Sequence, residues 1–216
     1  MISKNLFNRV ITSLILLSLL YLIFFYKPIL VLSLLILGIL SLIEFIDLLQ
    51  KIIKKKFKFF LIILTFIFYI FIFCFFFFFF SNFLKLKIIL FIILLSCAGS
   101  DVGGFIFGNL IGGPKLTKIS PNKTISGAIG SIVLANIIFV SLFSYFTNNL
   151  SGKYFLIATF ISITCQFGDL FFSYLKRKAK KKDTGKFFPG HGGVLDRLDG
   201  ILFGTPLGFL FFIFIY

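Results

Sequence analysis

Residues 57–80 read FKFFLIILTFIFYIFIFCFFFFFF, with one charged side chain, Lys58, in the whole stretch. Crossing the ~30 Å hydrocarbon core of a bilayer takes about 20 mainly apolar residues. The chain must be helical there, because lipid offers no partner to an unpaired backbone amide or carbonyl. This stretch has the length, and no Pro, Gly or acid interrupts it. It reads as a transmembrane helix. The phenylalanines at 75–80 add hydrophobicity and carry no motif; an AT-rich genome favours them together with Ile, Lys and Asn.

Six further runs qualify, at 10–26, 28–49, 86–98, 125–146, 154–172 and 201–216. Two of them, 86–98 and 201–216, are short. The glycine-rich stretch 99–113 either extends the first of these or forms a re-entrant piece. The fold class expected is therefore an all-α polytopic membrane protein with about seven transmembrane helices, seven to nine at the limits. Bulk composition agrees: 59% hydrophobic residues and a mean hydropathy of +1.11 exclude a water-soluble domain, for which roughly 45–50% apolar residues is usual. The run after Arg9 lacks a small-residue cleavage site, so the first span is expected to be retained. Cys74, Cys97 and Cys165 lie in apolar runs without CxxC or Cys/His spacing. Neither a zinc site nor a disulfide framework is expected from them.

Lys and Arg accumulate on cytoplasmic loops, so their distribution reports orientation. With the N-terminus inside, 18 of the 22 cationic residues fall on cytoplasmic segments, and only Lys27, Lys85, Lys87 and Lys153 lie outside. The expected arrangement is N-in and C-out in a cell (inner) membrane, with the polar loops facing the cytoplasm. A net charge of +15 confined to such loops calls for anionic partners, lipid headgroups or phosphates; nucleic acid is not among those expected. Residues 1–98 are read as N-terminal transmembrane helices. Residues 99–216 are read as a catalytic membrane region with two motif loops, 99–124 and 173–200.

Seven acidic residues are present: Glu44, Asp47, Asp101, Asp169, Asp183, Asp196 and Asp199. An Asp at or within a span costs a few kcal/mol on insertion scales, roughly, so Asp101 and Asp169 are read as functional. Glu44 and Asp47, near the end of the second span, are read as structural or interfacial. The stretch Ser173–Asp199 then concentrates the chemistry. Lys176, Arg177, Lys182 and Lys186 offer cations to a triphosphate or lipid phosphate, and Gly185, Gly190, Gly192 and Gly193 let backbone amides approach one closely. Asp196 and Asp199, three apart at a helix start, share a face and suit a hard cation. On a continuing helix, Asp169, Ser173 and Lys176 also share a face. Lys178–Lys182 alone fits a polybasic patch on anionic lipid equally well. Such a patch does not account for the acids, glycines and single histidine that interrupt the charge run.

Taken whole, Ser-x-aliphatic-Lys-Arg (173–177), Lys182-Asp183-x-Gly185 and Pro189-x-His191-Gly192-Gly193-x-x-Asp196-Arg197-x-Asp199 resembles, without departure, the signature of the phosphatidate cytidylyltransferase family, including an upstream Gly168-Asp169 pair. A second block, from Asp101 to Gly108, then Gly112–Leu116 and Ser120–Gly127, resembles another family segment with departures. Val102, Phe105 and Asn122 replace its usual residues, and Ser126 stands where the family has Glu. Lys123 retains a family cation and is expected to matter more than Ser126. Gly104, Gly108 and Gly112, spaced by four, suit a small-residue packing seam or close ligand approach.

The resemblance implies attack by the phosphate of phosphatidic acid on the α-phosphorus of CTP, giving CDP-diacylglycerol and pyrophosphate. It implies catalytic roles for Asp169, Asp196, Lys176, Arg177, His191 and Arg197. It implies substrate binding by Asp101, Lys123, Ser173, Lys182, Asp183, Lys186, Gly192 and Gly193. Mg²⁺, alone or with a second cation, would be held by Asp169 and Asp196, which are expected to converge, with Asp199 in support. The alternative is that each Asp simply pairs with a Lys or Arg. CTP, phosphatidic acid and the bilayer are the implied partners, with a homodimer among the arrangements allowed. Two rivals remain: a CTP-dependent lipid-alcohol kinase, against which the complete His-Gly-Gly-x-x-Asp-Arg-x-Asp ending argues, and a non-catalytic transporter or scaffold whose lysine loop binds anionic lipid.

Overall fold

The computed structural model describes residues 15, 18–117, 120–121, 123–185, 187 and 192–216. Residues 18–25 are helical. Six longer helices follow: α1 (Lys27–Ile52), α2 (Lys56–Phe80), α3 (Leu84–Leu110), α4 (Ile125–Thr147), α5 (Gly152–Lys178) and α6 (Leu195–Ile215). All six are long and apolar enough to cross a membrane; among the described residues no strand forms, and an isolated bridge joins Lys115 and Thr124. The protein is thus an all-α polytopic membrane protein. Of the run at 10–26, residues 10–14, 16 and 17 lie outside the described residues.

The two runs that looked short are not. The first continues through the glycines as one helix to Leu110, and the last begins at Leu195. Glycine costs only about 1 kcal/mol in a helix interior, and apolar surroundings that leave no other partner for the backbone outweigh that cost. Asp101 therefore lies within α3, and the first motif loop shortens to 111–124. The second shortens to 179–194, because Ser173, Lys176 and Arg177 are still in α5 and Asp196 and Asp199 already in α6.

The chain divides into two compact units that cut across the sequence division at residue 98: Met1–Phe79 with Leu175–Leu198, and Phe80–Tyr174 with Asp199–Tyr216. In the first, the buried positions of α1 include Leu30, Ser33, Gly38, Ser41, Glu44, Phe45 and Leu48. Leu32, Leu35, Ile36, Ile39 and Ile43 are exposed. Polar side chains inside and Leu or Ile outside reverse the arrangement of a soluble protein, as a hydrocarbon solvent requires. Phe45 stacks on Phe66 of α2 with ring centroids 3.7 Å apart.

The second unit is held by small residues. A Cβ on Gly103 would strike the carbonyl oxygen of Gly130, one on Gly104 would lie 2.7 Å from Ser131 Oγ, and one on Gly127 would lie 2.8 Å from the Gly104 carbonyl. Within a bilayer, apolar contact with a neighbouring helix gains little over contact with lipid, so close backbone approach and dispersion supply the attraction. The packing-seam reading holds for Gly104 and Gly108. Gly112 has no such neighbour and adopts φ +64 in the turn after α3. Ser100 Oγ meets Ser162 Oγ at 2.9 Å between α3 and α5, and Asn136 Nδ2 donates to Thr159 Oγ1 at 3.0 Å between α4 and α5.

Candidate active site

Each unit carries part of the motif set. In the second unit, Thr124 caps α4 by accepting from the Gly127 amide at 3.1 Å, which satisfies one of the orphan donors of the first turn. The preceding loop is closed by Leu116 N donating to the Lys123 carbonyl at 2.7 Å. That closure presents Lys123, whose ammonium forms an ion pair with Asp169 on α5, each side chain 27% exposed. Ser126, in the position of the family's Glu, donates instead to the Gly112 carbonyl and so tightens the loop. One turn before Asp169 on the same face, the Cys165 thiol lies 3.8 Å from Asp101 Oδ1, so the intrahelical acid at 101 reaches α5 while the residue itself stays exposed. Gly168 lets α6 come close: a Cβ there would lie 2.5 Å from the Asp199 carbonyl oxygen. Asp199 is buried, and its Oδ1 accepts from the Gly200 amide at 2.9 Å.

In the first unit, α5 ends in a Schellman motif, with Lys181 N donating to the Lys176 carbonyl at 2.9 Å and Lys180 N to the Arg177 carbonyl at 3.0 Å. Lys180 takes the left-handed position with φ 56, where glycine is usual. The reversal returns the chain over the end of α1, where Lys181 pairs with Asp47. Asp196, in the first turn of α6, is the hub. Its Oδ1 accepts from Lys176 Nζ at 2.7 Å. Its Oδ2 accepts from Thr184 N at 2.7 Å and Gly193 N at 2.9 Å, and the Thr184 hydroxyl oxygen lies 3.0 Å from it. Gly192 holds φ +82, and a Cβ on it would lie 2.7 Å from Asp196 Oδ2. Lys182, Asp183 and Arg197 are exposed and Ser173 half-buried. Lys186 and His191 lie outside the described residues.

The amide of Gly193 donates to Asp196, and Gly185 and Gly193 face a carboxylate of the chain itself. That carboxylate is Glu44, whose structural reading here gains definite partners. It is buried and accepts from Thr184 Oγ1 at 2.6 Å, Val194 N at 2.9 Å and Leu195 N at 2.9 Å. Local sequence gives no sign of a partnership across 140 residues. The insertion cost of an acid inside an apolar run, already applied to Asp101 and Asp169, was the one available signal.

The donor chemistry suits a hard divalent cation. Asp169 in one unit and Asp196 in the other each offer carboxylate oxygens, and each pairs with a lysine ammonium. Among the described residues no three His, Cys, Asp or Glu side chains gather into a cage. Mg²⁺ usually takes only one or two carboxylates, completing its shell with water and substrate phosphate oxygens.

Comparison with known proteins places this geometry in context. Residues 4–215 match the family described as the cytidylyltransferase family. A phosphatidate cytidylyltransferase of Helicobacter pylori is 48% identical over 118 residues, 52% of this chain and 42% of that protein. Proteins of the same name from Rickettsia bellii (44% over 123 residues, 52% of each chain) and Staphylococcus haemolyticus (44% over 110 residues, 50% of this chain and 42% of that one) are similar too. The aligned part thus spans about half the length of these relatives or less.

Proposed function

The chain belongs to the cytidylyltransferase family, and we propose that it transfers CMP from CTP to phosphatidic acid, releasing pyrophosphate and forming CDP-diacylglycerol. The observation that carries this reading is the segment 173–199, in which every fixed position of the signature is present and Lys176, Thr184 and Gly193 converge on Asp196. The names of the relatives support it.

In the proposed reaction, a phosphate oxygen of phosphatidic acid attacks the α-phosphorus of CTP. The bond from that phosphorus to the oxygen bridging toward the β-phosphorus breaks, and pyrophosphate leaves. The nucleophile is already an anion at neutral pH, so the protein need not activate it. Positioning and charge neutralisation are what remain. Asp169 and Asp196 would hold Mg²⁺, with Asp199 in support, and the ion supplies charge neutralisation at the triphosphate. Lys123 and Lys176, paired with those carboxylates, would then have their ammonium groups free for phosphate oxygens. Arg177, Lys182, Lys186 and Arg197 add cations, Arg in bidentate fashion, and His191 is proposed to orient a phosphate.

The test is conversion of phosphatidic acid by the purified protein with CTP labelled at the α-phosphorus, with and without Mg²⁺. Label is expected in the lipid product, and addition of a chelator is expected to abolish it. In a parallel reaction with CTP labelled at the γ-phosphorus, label that enters lipid would favour the lipid kinase instead, and absence of any CTP-dependent product would favour a scaffold.

Two further outcomes are expected. Lys123→Ala should lower activity about 10-fold or more, as loss of a charge-stabilising donor does, whereas Ser126→Ala, which loses the hydroxyl's contacts with the Gly112 carbonyl and Thr124 Oγ1, should cost about 1 kcal/mol of local stability and little activity. Comparable wild-type activity in both would remove this loop from the site. The active side is proposed to face the cytoplasm of a cell (inner) membrane, from the 18-to-4 partition of cations. An impermeant thiol reagent should then label Asn149→Cys from outside in intact cells and Lys178→Cys only after lysis; the opposite pattern would reject the orientation.

A further inference from the structure

Glu44 lies on α1, outside the signature, yet three of its hydrogen bonds go to the two ends of the signature loop: Thr184 at the start, Val194 and Leu195 at the end. The fit is tight. A Cβ on Gly185 would strike Glu44 Oε1, and one on Gly193 would strike both Glu44 Oε2 and Thr184 Oγ1. Two signature glycines therefore make room for this carboxylate. Thr184 links it onward, since its hydroxyl lies 2.6 Å from Glu44 Oε2 and 3.0 Å from Asp196 Oδ2, while its amide donates to Asp196 at 2.7 Å. A buried carboxylate with three donors is favoured only while all three are kept; losing them leaves a desolvated charge.

We propose that Glu44 is the positioning residue of the signature loop: it clamps residues 184 and 194–195 and, through Thr184, fixes the orientation of Asp196. Its action on catalysis rests on the proposed cytidylyltransferase activity, whereas its action on the loop does not. Glutamine has the same shape but turns one oxygen into an NH₂ group, and each oxygen accepts from a backbone N–H, so Glu44→Gln sets donor against donor and loses at least one contact without creating a cavity.

The experiment measures, for purified wild type, Glu44→Gln, Thr184→Val and Thr184→Ser, the kinetics with CTP, phosphatidic acid and Mg²⁺, together with amide hydrogen exchange over residues 184–195. Glu44→Gln is expected to lower kcat about 10- to 100-fold, as loss of an outer-shell partner does. It should also raise the Mg²⁺ concentration giving half-maximal rate and leave KM for phosphatidic acid within about threefold. Thr184→Val should behave likewise, the double variant should be no worse than the worse single one, and Thr184→Ser, which keeps the hydroxyl, should restore most of the rate. Exchange at 184 and 193–195 should quicken in Glu44→Gln. A purely structural role would lower the folded fraction while leaving kcat per folded molecule and the Mg²⁺ response unchanged, and that result overturns the proposal. Unchanged exchange also overturns it, and does so even if wild type converts no phosphatidic acid, the outcome that would sink the activity instead. Should Glu44→Gln not fold, the Thr184 pair decides by the same criteria.

Discussion

Asp196→Asn is expected to lower CTP-dependent activity by about 100- to 1,000-fold, the range seen when one preorganised charge partner is lost from a reaction that relies on charge neutralisation. Asparagine keeps the size of the side chain, and its one carbonyl oxygen still accepts from the amides of Thr184 and Gly193. What it loses is the charge that pairs with Lys176 and that would hold a cation. The fold should therefore survive with a modest loss, about 1–3 kcal/mol for a charge-assisted bond, read as thermal stability in detergent. Asp169→Asn should show the same collapse with a smaller stability effect, because Lys123 is its one ion-pair partner among the described contacts and both side chains are partly exposed. If Asp196→Asn were folded, responsive to Mg²⁺ and fully active, the metal role would be lost. If both variants unfolded before activity could be measured, the alternative that each Asp serves only its lysine would be favoured.

The second large effect concerns the fold. Gly103→Leu is expected to prevent assembly of the second unit, because even the first carbon of the side chain would strike the Gly130 carbonyl oxygen and lie 2.9 Å from Leu134 Cβ. Backbone cannot yield as a flexible side chain can, so α3 and α4 must separate along their seam. Overpacking in a dense interior costs about 1–3 kcal/mol or more, and here the separation also breaks the small-residue contacts at 104, 127 and 130. The measurement is the yield of monodisperse protein in detergent and its melting midpoint, with Val102→Leu on the exposed face of the same helix expected to behave as wild type. A normal yield for Gly103→Leu would mean that the seam is not what holds these helices.

Much of this was readable in advance, for reasons tied to particular residues. Helices at 57–80 and 125–146 follow from hydrophobic length alone, since a chain in lipid has no other way to satisfy its backbone. The constellation at 173–199 was visible because acids are scarce in this chain, so an acid beside glycine and lysine is informative. By contrast, the glycines of 99–113 allowed either an extension of the preceding span or a re-entrant piece. Glycine signals a break in water, but between packed membrane helices it signals contact, and only the partner helix at 127–131 distinguishes the two.

What the sequence determined by itself was a polytopic helical membrane protein and the set of charged residues at its working end. What only the tertiary structure decided was how those charges are shared out. Lys123 goes to Asp169, Lys176 to Asp196, and the glycines at 185 and 193 go to Glu44. A carboxylate states its demand for donors in the sequence, because its burial is costly without them. The donors that meet this demand stand 46, 20 and 140 to 151 residues away, and no local periodicity encodes contacts at such separations.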